Sequence, residues 1–234
     1  MRRLALRNFS PPRPSNGRER GVRERQRLAI LGGLLLASAL VFAGSPQPGN
    51  HLRGQSSPYL KRAATQPVDW YPWGAEAFRR ARQLDRPVLL DVGATWCAHC
   101  DRMDRESYTQ TEIAEYINAN FVAVKLDYDA QPKLTAKLER AHALKNLPAG
   151  IPLTGFLTPC GKLYLGGTYF PPQADKDTPG FAETLKQAAG LYRTERAQLE
   201  QDGFDLKLKE EFGEEKAHAG TGARAREPGA CGKK

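Results

Sequence analysis

The stretch DVGATWCAHC, residues 91–100, decides the fold prediction for this chain. It continues an apolar run, residues 88–90, and ends in two cysteines, Cys97 and Cys100. An apolar run followed by a Cys-x-x-Cys pair indicates a buried strand that leads into a helix, with the first sulfur at the helix N-terminus. Unpaired N–H groups and the helix dipole at that end would stabilise a thiolate on Cys97.

This arrangement predicts thiol–disulfide exchange. The Cys97 thiolate would attack a substrate disulfide, and Cys100, one helical turn further along, would resolve the mixed disulfide. His99 lies between the two cysteines, where a positive imidazole would further favour the thiolate. A structural disulfide and half of a zinc site are the alternatives, but tetrahedral zinc needs four ligands and the chain has no second Cys-x-x-Cys and no His-x-x-x-His.

The residues around this motif predict alternating strands and helices. Strands are predicted at residues 88–92, 121–126, 153–157 and 163–169. Helices are predicted at residues 74–84, 111–119, 133–144 and 181–199, with one more beginning near Cys97. The order β-α-β-α-β-β-α predicts an α/β domain with a central mixed sheet and covering helices. A turn at residues 158–161 would join the last two strands as a hairpin.

The chain resembles the thioredoxin superfamily over roughly residues 87–200. The superfamily's Trp-Cys-x-x-Cys motif is present as residues 96–100, and its buried acid matches Asp91. By this resemblance Asp91 would take the proton of Cys100 during resolution, because burial favours the protonated form of a carboxyl group. The resemblance implies a thioredoxin fold and a catalytic set of Cys97, Cys100 and Asp91.

The same resemblance assigns a substrate-binding loop, and two residues beside the cysteines are expected to tune the redox pair. The superfamily's cis-proline loop matches residues 150–152, where Ile151 and Pro152 would pack against the disulfide and bind the substrate backbone. His99 and Trp96 would tune the pair, and Trp96 is equally a packing residue or a substrate contact. The disulfide is itself the redox group, so neither a metal nor another cofactor is expected.

A narrower resemblance, over about residues 57–172, is to the spermatogenesis-associated protein 20-like thioredoxin domains. The segments that carry it are residues 57–60, 67–73, 76–78, 152–154, 156–159 and 167–172. Among them, Trp70, Tyr71 and Trp73 are predicted to form a core or lid cluster. An exposed aromatic surface for partner proteins is the alternative interpretation of these three residues.

The net charge of +9 is concentrated at the two ends of the chain. Residues 1–27 contain nine arginines and two glutamates, which is +7, and the last fourteen residues add +3. Residues 28–220 therefore carry −1, and no basic groove for nucleic acid is indicated. With 26% charged and 40% hydrophobic residues, the composition also excludes collagen, a coiled coil and a multi-span membrane protein.

Residues 28–44 begin with sixteen uncharged residues, 28–43, directly after the arginine-rich segment. Their length lies between that of a signal-peptide core and that of a membrane span. We predict an uncleaved transmembrane anchor, with a cleaved signal segment or a mitochondrial presequence as alternatives. The arginine excess would hold the N-terminus in the cytoplasm, so that the catalytic domain is periplasmic or otherwise extracytoplasmic.

The predicted organisation has five parts. They are a basic cytoplasmic tail (1–27), a transmembrane anchor or signal segment (28–44), a linker (45–58), a thioredoxin-like domain (59–201) and a charged, largely disordered tail (202–234). Cys160 is predicted as a turn residue about 26 Å from the active site, because eight residues of extended strand separate it from Pro152. Cys231 is predicted as an unpaired thiol in the tail.

The sequence thus predicts a thiol–disulfide oxidoreductase that acts on protein disulfides outside the cytoplasm. Asp91 and Trp96 resemble the reductases of the superfamily, whereas His99 would make the pair more oxidising, and we favour a reductase. A reductase in an oxidising compartment implies a membrane electron donor. Two alternatives remain: a non-catalytic binding module that uses residues 70–73 as its contact surface, and a copper- or other metal-handling protein that uses the Cys-x-x-Cys pair with His99.

Overall fold

The computed structural model describes residues 50–213 and Cys231. The predicted cytoplasmic tail, 1–27, and the predicted anchor, 28–44, lie outside the described residues. Among the residues that are described, no helix is both long enough and apolar enough to cross a membrane.

A six-stranded mixed sheet with helices on both faces makes up the described region. The strands are β1 (Trp70–Pro72), β2 (Val88–Gly93), β3 (Val122–Asp127), β4 (Leu153–Leu157), β5 (Lys162–Gly167) and β6 (Phe204–Asp205). The helices are α1 (Pro58–Ala63), α2 (Ala75–Leu84), α3 (Ala98–Glu106), α4 (Thr111–Asn120), α5 (Pro132–Leu144), α6 (Phe181–Asp202) and α7 (Leu208–Phe212).

The strand order is β1-β3-β2-β4-β5-β6. Strands β1, β3 and β2 run parallel, and β4, β5 and β6 are antiparallel to their neighbours. Every residue of β2 and β3 is buried, because helices cover both faces of these central strands. The prediction of a thioredoxin-like α/β fold with a mixed sheet is confirmed.

Each predicted strand and helix is present with its ends shifted by at most a few residues. Sequence reasoning missed four short elements, namely α1, β1, β6 and α7. Each has six residues or fewer, so none is long enough to show a helical or strand period in its apolar residues.

The register of the central strands brings two buried charges together. Side chains alternate between the two faces of a strand, so Asp91 shares a face with Leu89, and Lys125 shares it with Ala123. That face is covered by α1, α3, α4 and α6. Strands β2 and β3 pair Asp91 directly with Lys125. The sheet therefore forces a carboxylate and an ammonium group into adjacent buried positions.

Part of the predicted linker, 45–58, is packed into the fold. Leu52 is fully buried, and the side-chain amide of Asn50 donates to the carbonyl oxygens of Ala63 and Val68 at 2.8 and 3.1 Å. The Ser57 hydroxyl donates to the carboxylate of Asp127. The proline, glycine and serine content of this segment indicated a linker. The buried side chain of Leu52 and the hydrogen bonds of Asn50 and Ser57 instead fix residues 50–58 to the domain.

The beginning of the predicted disordered tail, 202–234, is also structured. Strand β6 pairs with β5, and α7 follows it. Leu206 and Leu208 are buried against the core on the second face of the sheet. The folded region therefore extends beyond residue 201, because these two leucines supply apolar surface that the alternating charges around them conceal in the sequence.

Cys160 lies in the β4–β5 turn, as predicted, where Gly161 N–H donates to the Thr158 carbonyl oxygen at 2.8 Å. Gly161 has a φ of +80°, which glycine adopts without strain. Cys160 forms a disulfide with Cys231. The prediction that Cys231 is an unpaired thiol is wrong. A separation of 71 residues leaves no local signal for this pairing in the sequence.

Candidate active site

Cys97 is the residue that caps the N-terminus of α3. Its backbone is extended (φ −87°, ψ 107°), and its Sγ accepts a hydrogen bond of 3.1 Å from the N–H of Cys100. The two cysteines are joined in a disulfide and are 6% and 1% exposed. The helix N-terminus thus lies at the sulfur that we predicted as the nucleophile, where its N–H groups stabilise negative charge.

The peptide bond between Ile151 and Pro152 is cis, as the resemblance implied. The next residue, Leu153, pairs with Val92 in the sheet, so the cis-proline and the loop that leads to Cys97 lie at the same edge of the sheet. Pro152 is buried, and Ile151 is partly buried against both cores. Ile151 and Pro152 therefore lie at the edge of the sheet that leads to Cys97, and their binding of substrate stays a prediction.

Trp96 and His99 lie on the surface beside the disulfide. Trp96 is 62% exposed, and its indole N–H donates to Asp129 at 2.8 Å. Its ring meets that of Tyr128 edge-on, with 5.8 Å between the ring centroids. His99 is exposed, and its ring centroid lies 5.6 Å from that of Tyr169. Both side chains are therefore accessible at the surface beside the cysteine pair.

Asp91 is buried in a cluster of charges. Lys125 Nζ lies 2.6 Å from Asp91 Oδ2 and 2.8 Å from Asp104 Oδ1. Lys125 is completely buried, and both carboxylates are nearly so. Burial lowers the pKa of the Lys125 ammonium, but Asp104 and Asp91 raise it by more, so that its pKa lies above the usual lysine value. Lys125 is therefore charged, and two carboxylates share this one cation.

Aromatic rings enclose this lysine. The rings of Tyr59, Trp70 and Tyr108 have their centroids 4.8, 4.7 and 4.9 Å from Lys125 Nζ. The negative faces of aromatic rings attract a cation, and the attraction is stronger where water is excluded. The rings therefore help to stabilise a lysine that has lost all contact with solvent.

Tyr59 bonds to the cluster, and its hydroxyl lies on the side of the cluster that faces Cys100. Its hydroxyl donates to Asp91 Oδ2 at 2.9 Å. Burial first, and then the charge of Asp91, hold the pKa of the Tyr59 hydroxyl well above its usual value. A Cβ atom at Gly93 would lie 2.2 Å from the Tyr59 hydroxyl and 3.0 Å from Cys100 Sγ. The absence of a side chain at Gly93 therefore lets the hydroxyl approach the resolving cysteine.

The structure thus brings together the predicted Cys97, Cys100, Asp91 and Pro152, with Trp96, His99 and Ile151 at the rim. Sequence reasoning missed Tyr59, Asp104 and Lys125. Signals for two of them were present, since Lys125 interrupts an apolar strand and Tyr59 lies in a segment that carries the narrower resemblance. Nothing in the sequence pointed to Asp104.

The structure also bears on the alternative functions. Trp70 is fully buried and Tyr71 is 7% exposed, so the prediction that these residues belong to the core is confirmed. They therefore do not form an exposed aromatic surface for a partner protein. Within residues 50–213 and at Cys231, no cluster of three or more His, Cys, Asp or Glu side chains has the geometry to hold a metal ion.

Comparisons with known proteins identify relatives of this chain. An uncharacterised protein of Caenorhabditis elegans is 38% identical over 158 residues, which are 67% of this chain and 22% of that protein. Spermatogenesis-associated protein 20 of Rattus norvegicus is 35% identical over 150 residues, 64% of this chain and 19% of that protein. The chain spans about a fifth of the length of the curated relatives it matches.

Solved structures of redox proteins are also similar. A structure titled DsbH oxidoreductase has 19% identity and a TM-score of 0.42, over 53% of this chain and 85% of that one. The C-terminal domain of Neisseria meningitidis DsbD in the oxidised form has 18% identity and a TM-score of 0.36, over 48% of this chain and 87% of that one.

A family model covers most of the folded region. It matches residues 49–209, which is more than half of the chain and includes every residue of the site described above. Its description is "Protein of unknown function, DUF255", under the name Thioredox_DsbH. The chain belongs to this thioredoxin-like DsbH/DUF255 family.

Proposed function

We propose that this protein is a thiol–disulfide oxidoreductase that reduces protein disulfides outside the cytoplasm. The observation that carries the proposal is the Cys97–Cys100 disulfide at the N-terminus of α3, next to the buried Asp91. The thioredoxin-like fold and this disulfide together support an oxidoreductase-like role. The disulfide alone accepts and donates the electrons.

The proposed cycle begins with the reduced cysteine pair. The Cys97 thiolate, stabilised by the helix N-terminus, attacks one sulfur of a substrate disulfide and releases the other sulfur as a thiolate. Cys100 loses its proton and attacks Cys97 Sγ, which closes the Cys97–Cys100 disulfide and releases the second substrate sulfur. Asp91 receives the proton of Cys100, and Ile151 and Pro152 bind the substrate backbone beside the reacting sulfurs.

The proposed direction of electron flow rests on a resemblance, because the groups around the disulfide have opposing effects. The helix N-terminus favours the reduced, thiolate form, and an imidazolium at position 99 would do the same, which makes a pair more oxidising. Asp91 and Trp96 resemble reductases, and on that ground we propose reduction. Each turnover leaves the pair oxidised, so a membrane electron donor must restore the thiols.

The proposed location rests on two features of the chain. All four cysteines are paired, Cys97 with Cys100 and Cys160 with Cys231, and such pairing is typical of oxidising compartments. Residues 28–44 have the composition of a membrane anchor with a positively charged cytoplasmic side. Digestion of the full chain by a protease added to cells whose outer envelope has been opened, with the cytoplasmic membrane intact, tests this location, and full protection would contradict it.

A redox titration tests the activity. The full chain is equilibrated in graded glutathione or dithiothreitol buffers, and its free thiols are alkylated and counted by mass. We expect a cooperative two-electron transition of Cys97 and Cys100, with a midpoint closer to about −270 mV, as in thioredoxin, than to about −120 mV, as in DsbA. A Cys160→Ser/Cys231→Ser variant isolates this pair. A midpoint near the DsbA value would indicate an oxidant, and no cooperative transition would exclude the redox function.

A further inference from the structure

The buried charges next to the active site leave one negative charge in excess. Asp91 and Asp104 carry −2, Lys125 carries +1, and all three side chains are shielded from water. Net charge is expensive in a medium of low dielectric constant. The uptake of one proton makes the cluster neutral. Two buried carboxylates that share one ammonium group therefore offer a carboxylate oxygen to a proton delivered at this position.

Tyr59 is the group that lies between this proton acceptor and the resolving cysteine. Its hydroxyl donates to Asp91 Oδ2 at 2.9 Å. The empty Cβ position of Gly93 lies 2.2 Å from that hydroxyl and 3.0 Å from Cys100 Sγ, so the hydroxyl and the sulfur are at most about 5.2 Å apart. Helix α1 supplies Tyr59, and Ser57 caps that helix and bonds to Asp127 at the end of β3. The Tyr59 ring is thus positioned by its own hydrogen bond to Asp91 and by the bond that fixes the start of α1 to the end of β3.

We propose that Tyr59 carries the proton of the Cys100 thiol to Asp91 when Cys100 closes the active-site disulfide. The proposal rests on the proposed function and assigns a residue to its resolution step. In that step Cys100 gives its proton to the Tyr59 oxygen, while Tyr59 gives its own proton to Asp91 Oδ2. The Cys100 sulfur forms a bond to Cys97 Sγ, the bond between Cys97 and the substrate sulfur breaks, and that sulfur leaves as a thiolate that takes a proton from water.

The surroundings of Tyr59 suit a relay. Because burial and Asp91 keep the pKa of its hydroxyl well above the usual value, Tyr59 is protonated both before and after the transfer and stores no charge. Asp104 has a separate part in the relay. When Asp91 is neutralised by the proton, Asp104 remains as the partner of the Lys125 cation at 2.8 Å, so no unpaired charge is left in the core.

Stopped-flow kinetics with 5,5′-dithiobis(2-nitrobenzoic acid) test the proposal. The full chain carries Cys160→Ser and Cys231→Ser, so that the reduced protein has only the thiols of Cys97 and Cys100. Attack by Cys97 releases the first coloured thiolate, and resolution by Cys100 releases the second. We expect Tyr59→Phe to change the first phase less than twofold and to slow the second at least tenfold between pH 6 and 8, since general acid–base groups contribute about 10²–10⁴-fold.

The pH profile separates a relay from a structural effect. In Tyr59→Phe the proton of the Cys100 thiol must be removed by hydroxide. The rate constant of the second phase should therefore rise about tenfold per pH unit in this variant, whereas the rate constant of the parent protein should depend less on pH. Tyr164→Phe is the matched control, because its hydroxyl also donates one hydrogen bond, to Ala188 O at 3.1 Å, far from the site. It should match the parent in both phases. Equal slowing of both phases in Tyr59→Phe, or an unchanged second phase and pH profile, would overturn the relay.

A second variant keeps the test decisive if Tyr59→Phe folds poorly, which circular dichroism reveals. Asp104→Asn leaves Lys125 with Asp91 alone, so a proton on Asp91 would leave the buried cation unpaired. We expect this variant also to slow the second phase and not the first, and an unaffected second phase would overturn the proposal. A parent protein that releases no second thiolate would instead contradict the oxidoreductase function itself.

Discussion

The ammonium nitrogen of Lys125 lies 2.6 Å from Oδ2 of Asp91, and the parallel pairing of β2 with β3 places these two residues directly opposite each other. The same nitrogen bonds Asp104 at 2.8 Å, so one buried cation serves two buried carboxylates. The position of the proposed proton acceptor beside the redox disulfide therefore depends on a lysine from the neighbouring strand and an acid from the helix that Cys97 caps.

Replacing Lys125 by methionine should destabilise the protein severely. The substitution keeps a long apolar side chain but leaves two buried carboxylates without a cation, and removal of one partner from a buried ion pair costs about 3–5 kcal/mol. Urea unfolding measures the loss. Lys162→Met is the matched control, since its partner Asp205 is half exposed and the pair should contribute about 1 kcal/mol or less. Equal losses in the two variants would show that burial of the charges is unimportant.

Stability should fall steeply in alkali. The pKa values of Tyr59 and Tyr108 are raised well above the usual value by burial and then by Asp91, and that of Lys125 is raised by the two acids. The unfolded chain releases these protons from about pH 10 upward, while the folded state still binds them. The folded state then holds more protons than the unfolded state. The contribution of these three groups to the free energy of unfolding is therefore fully present below about pH 10 and is lost as the pH rises further.

Tyr59→Phe removes one of these protons. We expect the slope of unfolding free energy against pH, measured by urea unfolding between pH 10 and 11.5, to become less steep by about 1.4 kcal/mol per pH unit in this variant. Identical slopes in the two proteins would mean that the Tyr59 hydroxyl ionises as readily in the folded state as in water.

The order of attack at the disulfide can be read from trapped intermediates. Cys100→Ser should accumulate a mixed disulfide between Cys97 and a protein substrate, because the resolving thiol is gone. Cys97→Ser should trap none, since Cys100 is 1% exposed and does not cap the helix. Non-reducing gels with mass spectrometry identify the adduct. The reverse pattern would exchange the roles of the two cysteines.

The Cys160–Cys231 disulfide should stabilise the fold without affecting the redox site. It closes a loop across 71 residues of sequence separation, which corresponds to about 4 kcal/mol in the chain-entropy estimate, and measured values are commonly 2–4 kcal/mol. Cys160→Ser, Cys231→Ser and the double variant should lose the same amount, since each breaks the same bond. Urea unfolding provides the values. Additive losses, or a shifted midpoint for Cys97–Cys100, would contradict this assignment.

Trp96 should contribute to the binding of protein substrates. It is exposed beside Cys97 and oriented by Asp129, and exposed tryptophans that are held in place are frequent anchors of interfaces. Trp96→Ala should raise KM for a protein disulfide about tenfold while changing the unfolding free energy by less than about 0.5 kcal/mol. A small aromatic disulfide serves as control, with an expected change of less than twofold. Equal effects on both substrates would assign Trp96 to the chemistry instead.

The sequence by itself determined the central strands, the long helices and the chemistry of the cysteine pair. Residues 88–92 and 97–100 do so because apolar runs, helical periods and the spacing of two sulfurs are local properties of the chain. The cis bond at Pro152 was also predicted, by resemblance. These features need no knowledge of which distant residues are neighbours in space.

Only the tertiary structure decided what surrounds Asp91. Lys125 reaches it through strand register, Asp104 through the orientation of α3, and Tyr59 through a short helix that precedes the sheet. The Cys160–Cys231 pair was likewise beyond local patterns. These contacts join residues that are 21 to 71 positions apart in the sequence. They depend on how the elements pack, and no periodic pattern in the sequence predicts them. The physical reason is that a side chain's ionisation and bonding follow from its neighbours in space, which the fold alone assembles.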